Sequence, residues 1–153
     1  MSLATIRAQY KTILQSVPGI GVVHDYERWS ADWDKFLAQF QDPASKKILG
    51  WTITRERSAE SFKTGSGYSR MYTMAIRGYM GLNDTDASEK TFQDLIETVC
   101  DTFRGKTTLN GVVEQVEAPL QVDSIDLRQL GSVLCHHCEL RQTVEEISTF
   151  VQS

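Results

Sequence analysis

Two cysteines and two histidines occupy four consecutive positions, 135 to 138, in the stretch VLCHHCELR. Thiolate sulfur and imidazole nitrogen are ligands that zinc prefers, so this cluster is the first candidate for a metal site. A structural zinc site usually draws its ligands from two separated groups of residues. This sequence has one such group, and elsewhere only Cys100 and His24 remain as further cysteine or histidine ligands.

The residues around this cluster have the pattern of a β-strand over positions 132–144. Successive side chains of a strand point to opposite faces, so Cys135 and His137 are expected on one face, with His136 and Cys138 on the other. Four ligands divided in this way cannot converge on one ion. The pattern therefore favours buried, structural side chains over a metal site completed by another subunit or over redox chemistry.

Other residues that could do chemistry also have simpler structural explanations. Asp84 and Asp86 could bind a divalent cation, but acidic residues before a helix are favoured by capping and by the helix dipole. Residues 64–70, TGSGYSR, resemble a phosphate-binding loop, yet they lack the P-loop lysine and lie in a predicted hairpin. Cys100 could act as a nucleophile, but it adjoins the apolar side of a predicted helix. The sequence thus predicts no catalytic residue, metal ligand or cofactor site.

Hydrophobic periodicity predicts three helices. The first covers residues 3–17, where apolar residues recur every three or four positions and a Pro-Gly pair follows. A second is expected to begin after Ser30, as its N-cap, and to end before a proline. In the third, Asp86 and Glu89 have the spacing of a capping box, and Gly105 can adopt the left-handed conformation that ends a helix.

Two runs rich in β-branched and aromatic residues, 46–58 and 68–80, predict a long β-hairpin around the segment AESFKTGSG. Period-two alternation over 111–147 predicts two or three more antiparallel strands, and residues 19–27 could form a short one. Sequential strands usually pair. The expected fold class is therefore α+β: an antiparallel β-sheet with a long β-hairpin, packed against two or three α-helices, in a single domain over residues 1–153.

Composition excludes several classes of protein. The 153 residues carry a net charge of −4 and three cysteines, which does not suit a disulfide scaffold or a strongly basic nucleic-acid binder. No apolar run approaches the roughly 20 residues of a membrane span. The first residues lack the cationic and continuous apolar regions of a signal peptide. Synthesis in the cytoplasm is expected, with no membrane partner and no sequence-specific nucleic-acid binding.

Charge is distributed unevenly along the chain. Residues 46–77, which contain the predicted hairpin, carry seven Lys/Arg against two Asp/Glu, whereas residues 78–153 carry five against thirteen. A basic hairpin and an acidic remainder could be an ordinary solvated surface, or they could be two complementary surfaces for self-association. Distinct positive and negative surfaces suit head-to-tail contacts, which close into rings.

In its succession of elements the chain resembles the small tail terminator or tail-completion (neck) proteins of long-tailed bacteriophages. The resemblance lies in the amphipathic first helix running into VPGIGVVHDYERW, the hairpin WTITRERSAESFKTGSGYSRMYTMAIRGY, the helix ASEKTFQDLIETVCDTF, and the closing segment with LCHHCELRQTVEE. It implies a structural virion protein without catalytic residues or cofactors. Such a subunit forms a ring, commonly hexameric, that caps the polymerised tail tube and contacts the tail tube protein and the head-tail connector.

The basic side chains of the hairpin are expected to face a neighbouring subunit or the ring opening, and an acidic segment is their expected partner. The residues so assigned are Arg55, Arg57, Lys63 and Arg70, and then Asp84, Asp86 and Glu89. Two other interpretations remain: another neck or connector protein, or a regulatory α+β domain that binds a small molecule. An enzyme would instead use Cys135 or Cys138 with one of the three histidines: His24, His136 and His137.

Overall fold

The computed structural model describes residues 2–63, 65 and 67–149. In chain order these residues form three helices and six strands, which confirms the α+β class. The helices are α1 (Leu3–Gln15), α2 (Trp33–Ala38) and α3 (Ser88–Phe103). The strands are β1 (Val22–His24), β2 (Leu49–Phe62), β3 (Gly67–Gly81), β4 (Gln115–Val116), β5 (Gln121–Leu130) and β6 (Val133–Thr149).

All six strands belong to one curled sheet. Its order is β1-β2-β3-β6-β4, and β5 also pairs with β6, beside the part of β6 that precedes its contact with β4. Every pairing is antiparallel except that of β1 with β2, which is parallel. The prediction of a purely antiparallel sheet was wrong at this edge, because α2 lies in the connection from β1 to β2 and returns the chain in the same direction.

The two faces of the sheet differ in what covers them. The helix face is the side on which α1 and α3 pack, and its central row is Trp51, Gly78 and Cys138. The opposite side, the outer face, is covered at one end by α2, where Phe36 and Phe40 contact Tyr79. Along the predicted hairpin, the side chains that alternate toward the helix face are fully or almost fully buried: Trp51, Ile53, Tyr72, Met74 and Ile76.

Trp51 shows how tightly the helix face is packed. Its indole lies over Gly78, where an added Cβ would be 2.4 Å from the ring, and its Nε1 donates to the Ile20 carbonyl oxygen over 2.8 Å. The absence of a side chain at Gly78 therefore leaves the space that this large ring fills. The ring also stacks near Phe92 of α3, at a centroid distance of 6.1 Å.

The helix starts differ from the sequence-based predictions. The N-cap of α2 is Asp32, whose Oδ1 accepts from the Asp34 backbone N–H over 2.9 Å, so Ser30 does not cap it. Helix α3 begins at Ser88 after Ala87, which has a left-handed backbone and makes no side-chain cap bond. The predicted capping box of Asp86 and Glu89 was therefore wrong: a turn over residues 83–87 takes its place, in which the Asp86 N–H donates to the backbone and side-chain oxygens of Asn83.

The hairpin ends in an arm whose β2 strand is exposed to solvent. We define the arm as residues 55–62 of β2, 67–74 of β3 and 142–149 of β6, which pair with one another apart from the extra residue Glu56. Residues 59–62, predicted as part of the turn, are strand, and every residue from 55 to 62 is exposed. Thr64 and Ser66 of the stretch considered as a phosphate-binding loop lie outside the described residues.

Candidate subunit interface

A β-bulge divides the basic residues of the arm between the two faces of the sheet. Arg55 is opposite Met74 and Arg57 is opposite Thr73, so Glu56 is an extra residue between them. Met74 is buried on the helix face, and Thr73, its neighbour in β3, points to the outer face. Opposed residues of an antiparallel pair share a face, so Arg55 lies on the helix face and Arg57 on the outer face.

On the helix face of the arm, two arginines flank one tyrosine. The guanidinium carbons of Arg55 and Arg70 lie 5.9 Å and 5.8 Å from the ring centroid of Tyr72. Arg70 Nε also donates to Glu60 Oε1 over 2.5 Å, and its Nη1 donates to the Tyr72 hydroxyl over 2.9 Å. The Tyr72 hydroxyl in turn donates to buried Glu146 over 2.9 Å. Arg70 is therefore anchored within its own chain, while Arg55 remains exposed.

On the outer face of the arm, Lys63 is drawn toward a buried carboxylate. Its Nζ lies 3.7 Å from Glu145 Oε2, which also accepts from the Ser69 hydroxyl over 2.6 Å. Arg57 is exposed on the same face and borders a shallow depression of about 240 Å³. The other residues of that depression come from all three parts of the arm and from the loop before β5: Ala59, Met71, Thr73, Glu117 and Thr143.

The predicted acidic partner lies at the other end of the sheet. Asp84, Asp86 and Glu89 follow the last residue of β3, whereas the arm contains the first residues of that strand. A fifteen-residue strand is about 50 Å long, so these carboxylates cannot reach the arm of their own chain. All three are exposed, and Asp86 Oδ2 accepts from Asn83 Nδ2 over 2.7 Å.

The outer face carries an ion-pair network that the sequence analysis missed. Arg141 donates from Nε to Glu56 Oε2 over 2.6 Å, from Nη2 to Glu139 Oε2 over 2.9 Å, and from Nη1 to Asp123 Oδ2 over 2.7 Å. Arg77 Nη2 binds the same Glu56 over 2.5 Å. The hydrogen bond from Arg141 lowers the pKa of Glu56 despite its partial burial. The bulge at Glu56 could not be read from the sequence, and without its position these partners could not be predicted.

The cysteine and histidine cluster divides between the faces as predicted. Cys135 packs with α2 on the outer face, Cys138 is in the main core, and His136 Nε2 lies 2.8 Å from the Ser88 hydroxyl. Burial raises the pKa of the Cys138 thiol to about 12 and also raises that of Cys135. Within the described residues no group of three or more histidine, cysteine or acidic side chains is arranged to hold a metal ion.

His137 is the member of this cluster with the least satisfied environment. Its ring is fully buried, and within the described part of the chain neither nitrogen makes a hydrogen bond of acceptable geometry, although Nδ1 is 3.3 Å from Asp126 Oδ1. Burial lowers its pKa, and the nearby Arg128 lowers it further. His24, the third histidine, contacts the Gln39 carbonyl oxygen through Nε2 over 2.8 Å. The high thiol pKa values give little thiolate for the enzyme interpretation.

The sheet has two edges that no described strand extends. Strand β1 pairs with residues 50–52 of β2 only, so the β2 side of the arm is a free edge. Strand β5 pairs with β6 on one side and with no described strand on the other. On β5, Val122 and Leu127 are 41% and 55% exposed, which is high for apolar residues of a strand. Free backbone N–H and C=O groups on such edges are ready to pair with another strand.

Comparisons with known proteins do not assign a family. No protein family model matches the chain, and no curated protein matches it. It is similar to a solved structure whose name states no function: the two are 12% identical, the match covers 100% of this chain and 99% of that one, and the TM-score is 0.40. That likeness is too low to carry an argument. Within the described residues, no helix is long and apolar enough to cross a membrane.

Proposed function

We propose that this chain is a subunit of a ring that caps the tail tube of a long-tailed bacteriophage, stops its polymerisation and joins the tail to the head connector. The observation that carries the proposal is the arm. Its β2 residues, 55–62, are all exposed, and they form an edge of the sheet that no described strand extends. Together with the succession of elements that resembles tail terminators, it supports a subunit built to contact its neighbours.

A ring of identical subunits needs two different surfaces on each subunit, because its contacts run head to tail. The free β2 edge of the arm provides one surface and the free edge of β5 provides the other. Along the sheet the strands β2, β3, β6 and β5 alternate in direction. The β2 edge of a neighbour in the same orientation would therefore add to β5 as an antiparallel strand, and the sheet would continue from subunit to subunit.

Charge also suits this contact. Strand β5 presents Asp123 and Asp126 with one arginine, Arg128, and the arm presents Arg57 on the same, outer face. An Arg57 side chain placed beside β5 of the next subunit would meet Asp126. The two free edges lie at different heights along the strands, since β5 pairs with the first half of β6 and the arm includes its last residues. Such a stagger is what tilted strands in a closed sheet require.

The acidic residues at and just before the start of α3 do not take part in the contact between the arm and β5. Asp84, Asp86 and Glu89 lie at the end of the sheet remote from the arm, so they do not meet the β2 edge in the contact described above. They stay candidates for a second contact of the ring, with another subunit, the tail tube protein or the connector.

Charge reversal in the arm tests the proposal. Arg57→Glu should reduce ring formation by about tenfold in the concentration required, most strongly at low salt, because it places like charges at the contact. Arg55 lies on the other face of the same strand, so Arg55→Glu is the matched control, with a smaller expected effect. Equal ring formation by Arg57→Glu and the wild type would remove the arm from the contact.

The tail role is tested separately. Wild-type protein mixed with polymerised tail tubes of the same phage should appear by electron microscopy at tube ends, and should block further elongation. Binding along the sides of the tubes, or no effect on elongation, would contradict the terminator function even if rings form.

A second candidate, a small-molecule regulatory domain, is favoured by one groove. A depression of about 490 Å³ lies where β2 begins and β3 ends, and its volume is within the range of ligand pockets. Its lining includes apolar Ile48, Leu49 and Met80, and also charged Lys46, Lys47 and Asp86. A monomer whose melting temperature rises with a small-molecule ligand, and whose Ile48→Glu variant does not respond, would favour this function over the ring.

A further inference from the structure

The outer edge of β5 is a liability for a chain that is not yet in a ring. It has ten residues, it pairs on one side only within the described structure, and its Leu127 is 55% exposed. Natural proteins cover or charge such edges because a free strand pairs with other chains and causes aggregation. Strand β5 carries few charges. Their order along the strand indicates which strand could pair with this edge.

We infer that two copies of the unassembled chain pair edge to edge through β5, antiparallel, about a two-fold axis at Leu127. Such a contact is isologous: residue i of one copy faces residue j of the other, and j faces i. With the axis at Leu127, Asp126 of each copy faces Arg128 of the other. The pairing covers residues 124–130 in both copies and joins the two sheets into one.

Charge complementarity selects this register. Directly opposed residues of an antiparallel pair point to the same face of the sheet. A two-fold axis perpendicular to the sheet must therefore lie where one residue of β5 faces the same residue of the other copy. With the axis at Asp126 or at Arg128, like charges would face each other, which is unfavourable in directly opposed positions. With the axis at Ile125, Asp126 would face Ser124 and no pair of opposite charges would form. Leu127 is the one centre within 125–128 that produces opposite-charge pairs, and it produces two of them.

The side chains involved are available for this contact. Asp126 and Arg128 are 44% and 46% exposed, and within one chain they interact with each other over 3.3 Å on the outer face. On the helix face, Leu127 would meet Leu127 of the partner subunit, beside half-buried Ile125 and near Leu134, which is 46% exposed. The register therefore joins apolar side chains on one face and opposite charges on the other.

This inference goes beyond the ring and does not depend on it. Both contacts use the β5 edge, so they exclude each other: the pair protects β5 before assembly, and the arm of a neighbour takes its place in the ring. Arg57 has no role in the pair, so the Arg57→Glu variant should still form it. Loss of the pair and loss of the ring can thus be observed independently.

Charge reversal at the two charged positions is the first test, with association measured by analytical ultracentrifugation at concentrations below those that form rings. Asp126→Arg and Arg128→Asp should each weaken the dimer by about tenfold or more, because each turns two attractive pairs into two repulsive ones. The double variant Asp126→Arg/Arg128→Asp restores opposite charges across the axis, so its dimer should return to within about threefold of the wild type. A wild-type chain that stays monomeric, or a double variant as weak as the single ones, would overturn the inference.

Charge reversal at Asp126 could disturb the nearby His137 and so the fold. A cross-linking experiment tests the same pairing without changing a charge. Directly opposed residues of an antiparallel pair have Cα atoms about 4.5–5.5 Å apart, a separation that a disulfide can span. Leu127→Cys should therefore form a disulfide-linked dimer under mild oxidation. Gln129→Cys, also exposed and on the same face, would face Ile125 of the partner and should not. Equal cross-linking of the two variants, or none with Leu127→Cys, would refute pairing at this register.

Discussion

Arg55 and Arg57 point to opposite faces of the arm, although residues two apart in a regular strand share a face. The cause is the bulge at Glu56, whose carboxylate receives hydrogen bonds from both Arg77 and Arg141 on the outer face. A bulge of this kind re-aims the side chains that follow it. The arm therefore presents separate basic positions to the two sides of the sheet, and the ring contact can use one of them without the other.

Replacing Glu56, whose side chain is 27% exposed, should destabilise the chain more than replacing a more exposed carboxylate of the same strand. Glu56→Ala removes the group that bridges two arginines, each less than one-third exposed, and should lower the free energy of unfolding by about 1–2 kcal/mol at neutral pH. Glu60→Ala is the control: Glu60 is 55% exposed and pairs with Arg70 alone among the described residues, so the loss should be below about 1 kcal/mol. Urea unfolding measures both, and equal losses would contradict the bridging role.

The Glu56 carboxylate also predicts how the stability of the folded chain depends on pH in the acidic range. The pKa of Glu56 is lower in the folded chain than its ordinary value of 4.5, chiefly through the hydrogen bond from Arg141. Glu56 therefore contributes fully to stability when the pH is above its ordinary pKa. This contribution is lost as the pH falls through the pKa of the folded state. The free energy of unfolding of the wild type should decline below about pH 4.5, and that of Glu56→Ala should decline less steeply.

The burial of His137 predicts that acidification lowers stability in a second pH range, nearer to neutral than the range of Glu56. Burial lowers its pKa below the ordinary value of 6.5, so the unfolded chain binds a proton more readily than the folded one. The free energy of unfolding should therefore fall as the pH decreases below about 6.5. The pKa of His136 is lowered in the same way, so His137→Phe should reduce this dependence without removing it. A wild-type stability that is constant from about pH 7 to about pH 5.5 would contradict it.

The packing of Trp51 over Gly78 predicts an unusual sensitivity at one glycine. Gly78→Ala would place a Cβ 2.4 Å from the fully buried indole, and overpacking of this kind costs about 1–3 kcal/mol. Gly81→Ala, in the same strand, has no atom closer than 3.6 Å to the added Cβ and should change stability by no more than about 0.5 kcal/mol. Thermal unfolding of the two variants compares them directly, and similar melting temperatures would refute the close contact.

The cysteines should react slowly with alkylating reagents while the chain is folded. Burial raises the pKa of all three thiols, Cys138 to about 12, and the thiolate is the reactive form. Mass spectrometry after iodoacetamide treatment near neutral pH should find Cys135 and Cys138 unmodified in the folded protein and modified in urea. Rapid modification of either residue in the folded chain would revive the enzyme interpretation.

Hydrophobic periodicity predicted the parts of the fold that a single amphipathic pattern determines. The stripe of α1 is buried at Ile6, Tyr10, Ile13 and Leu14, and the division of residues 135–138 between two faces is as predicted. In each case the side chains follow from the geometry of one element. Long-range partners were not needed for these predictions.

The features that were missed depend on contacts between distant parts of the chain. The bulge at Glu56 is stabilised by Arg141, 85 residues away, and no local pattern marks it. The start of α3 was misplaced because the acidic residues before it form a turn around Asn83 instead of a cap. The exposed edge of β5 required the strand order, which periodicity does not give. The candidate contact depends on that bulge and on that edge. The sequence therefore predicted that basic residues of the arm take part, but not which face of the sheet each one lies on.

The most direct measurement for the central proposal is the mass of the purified, untagged protein by multi-angle light scattering over a concentration and salt series. The ring proposal predicts that mass increases with concentration to one closed multiple of the 17.3 kDa chain, six in the commonest case, and that high salt opposes it. A species no larger than a dimer at every concentration, or a mass that grows without limit, would contradict a closed ring.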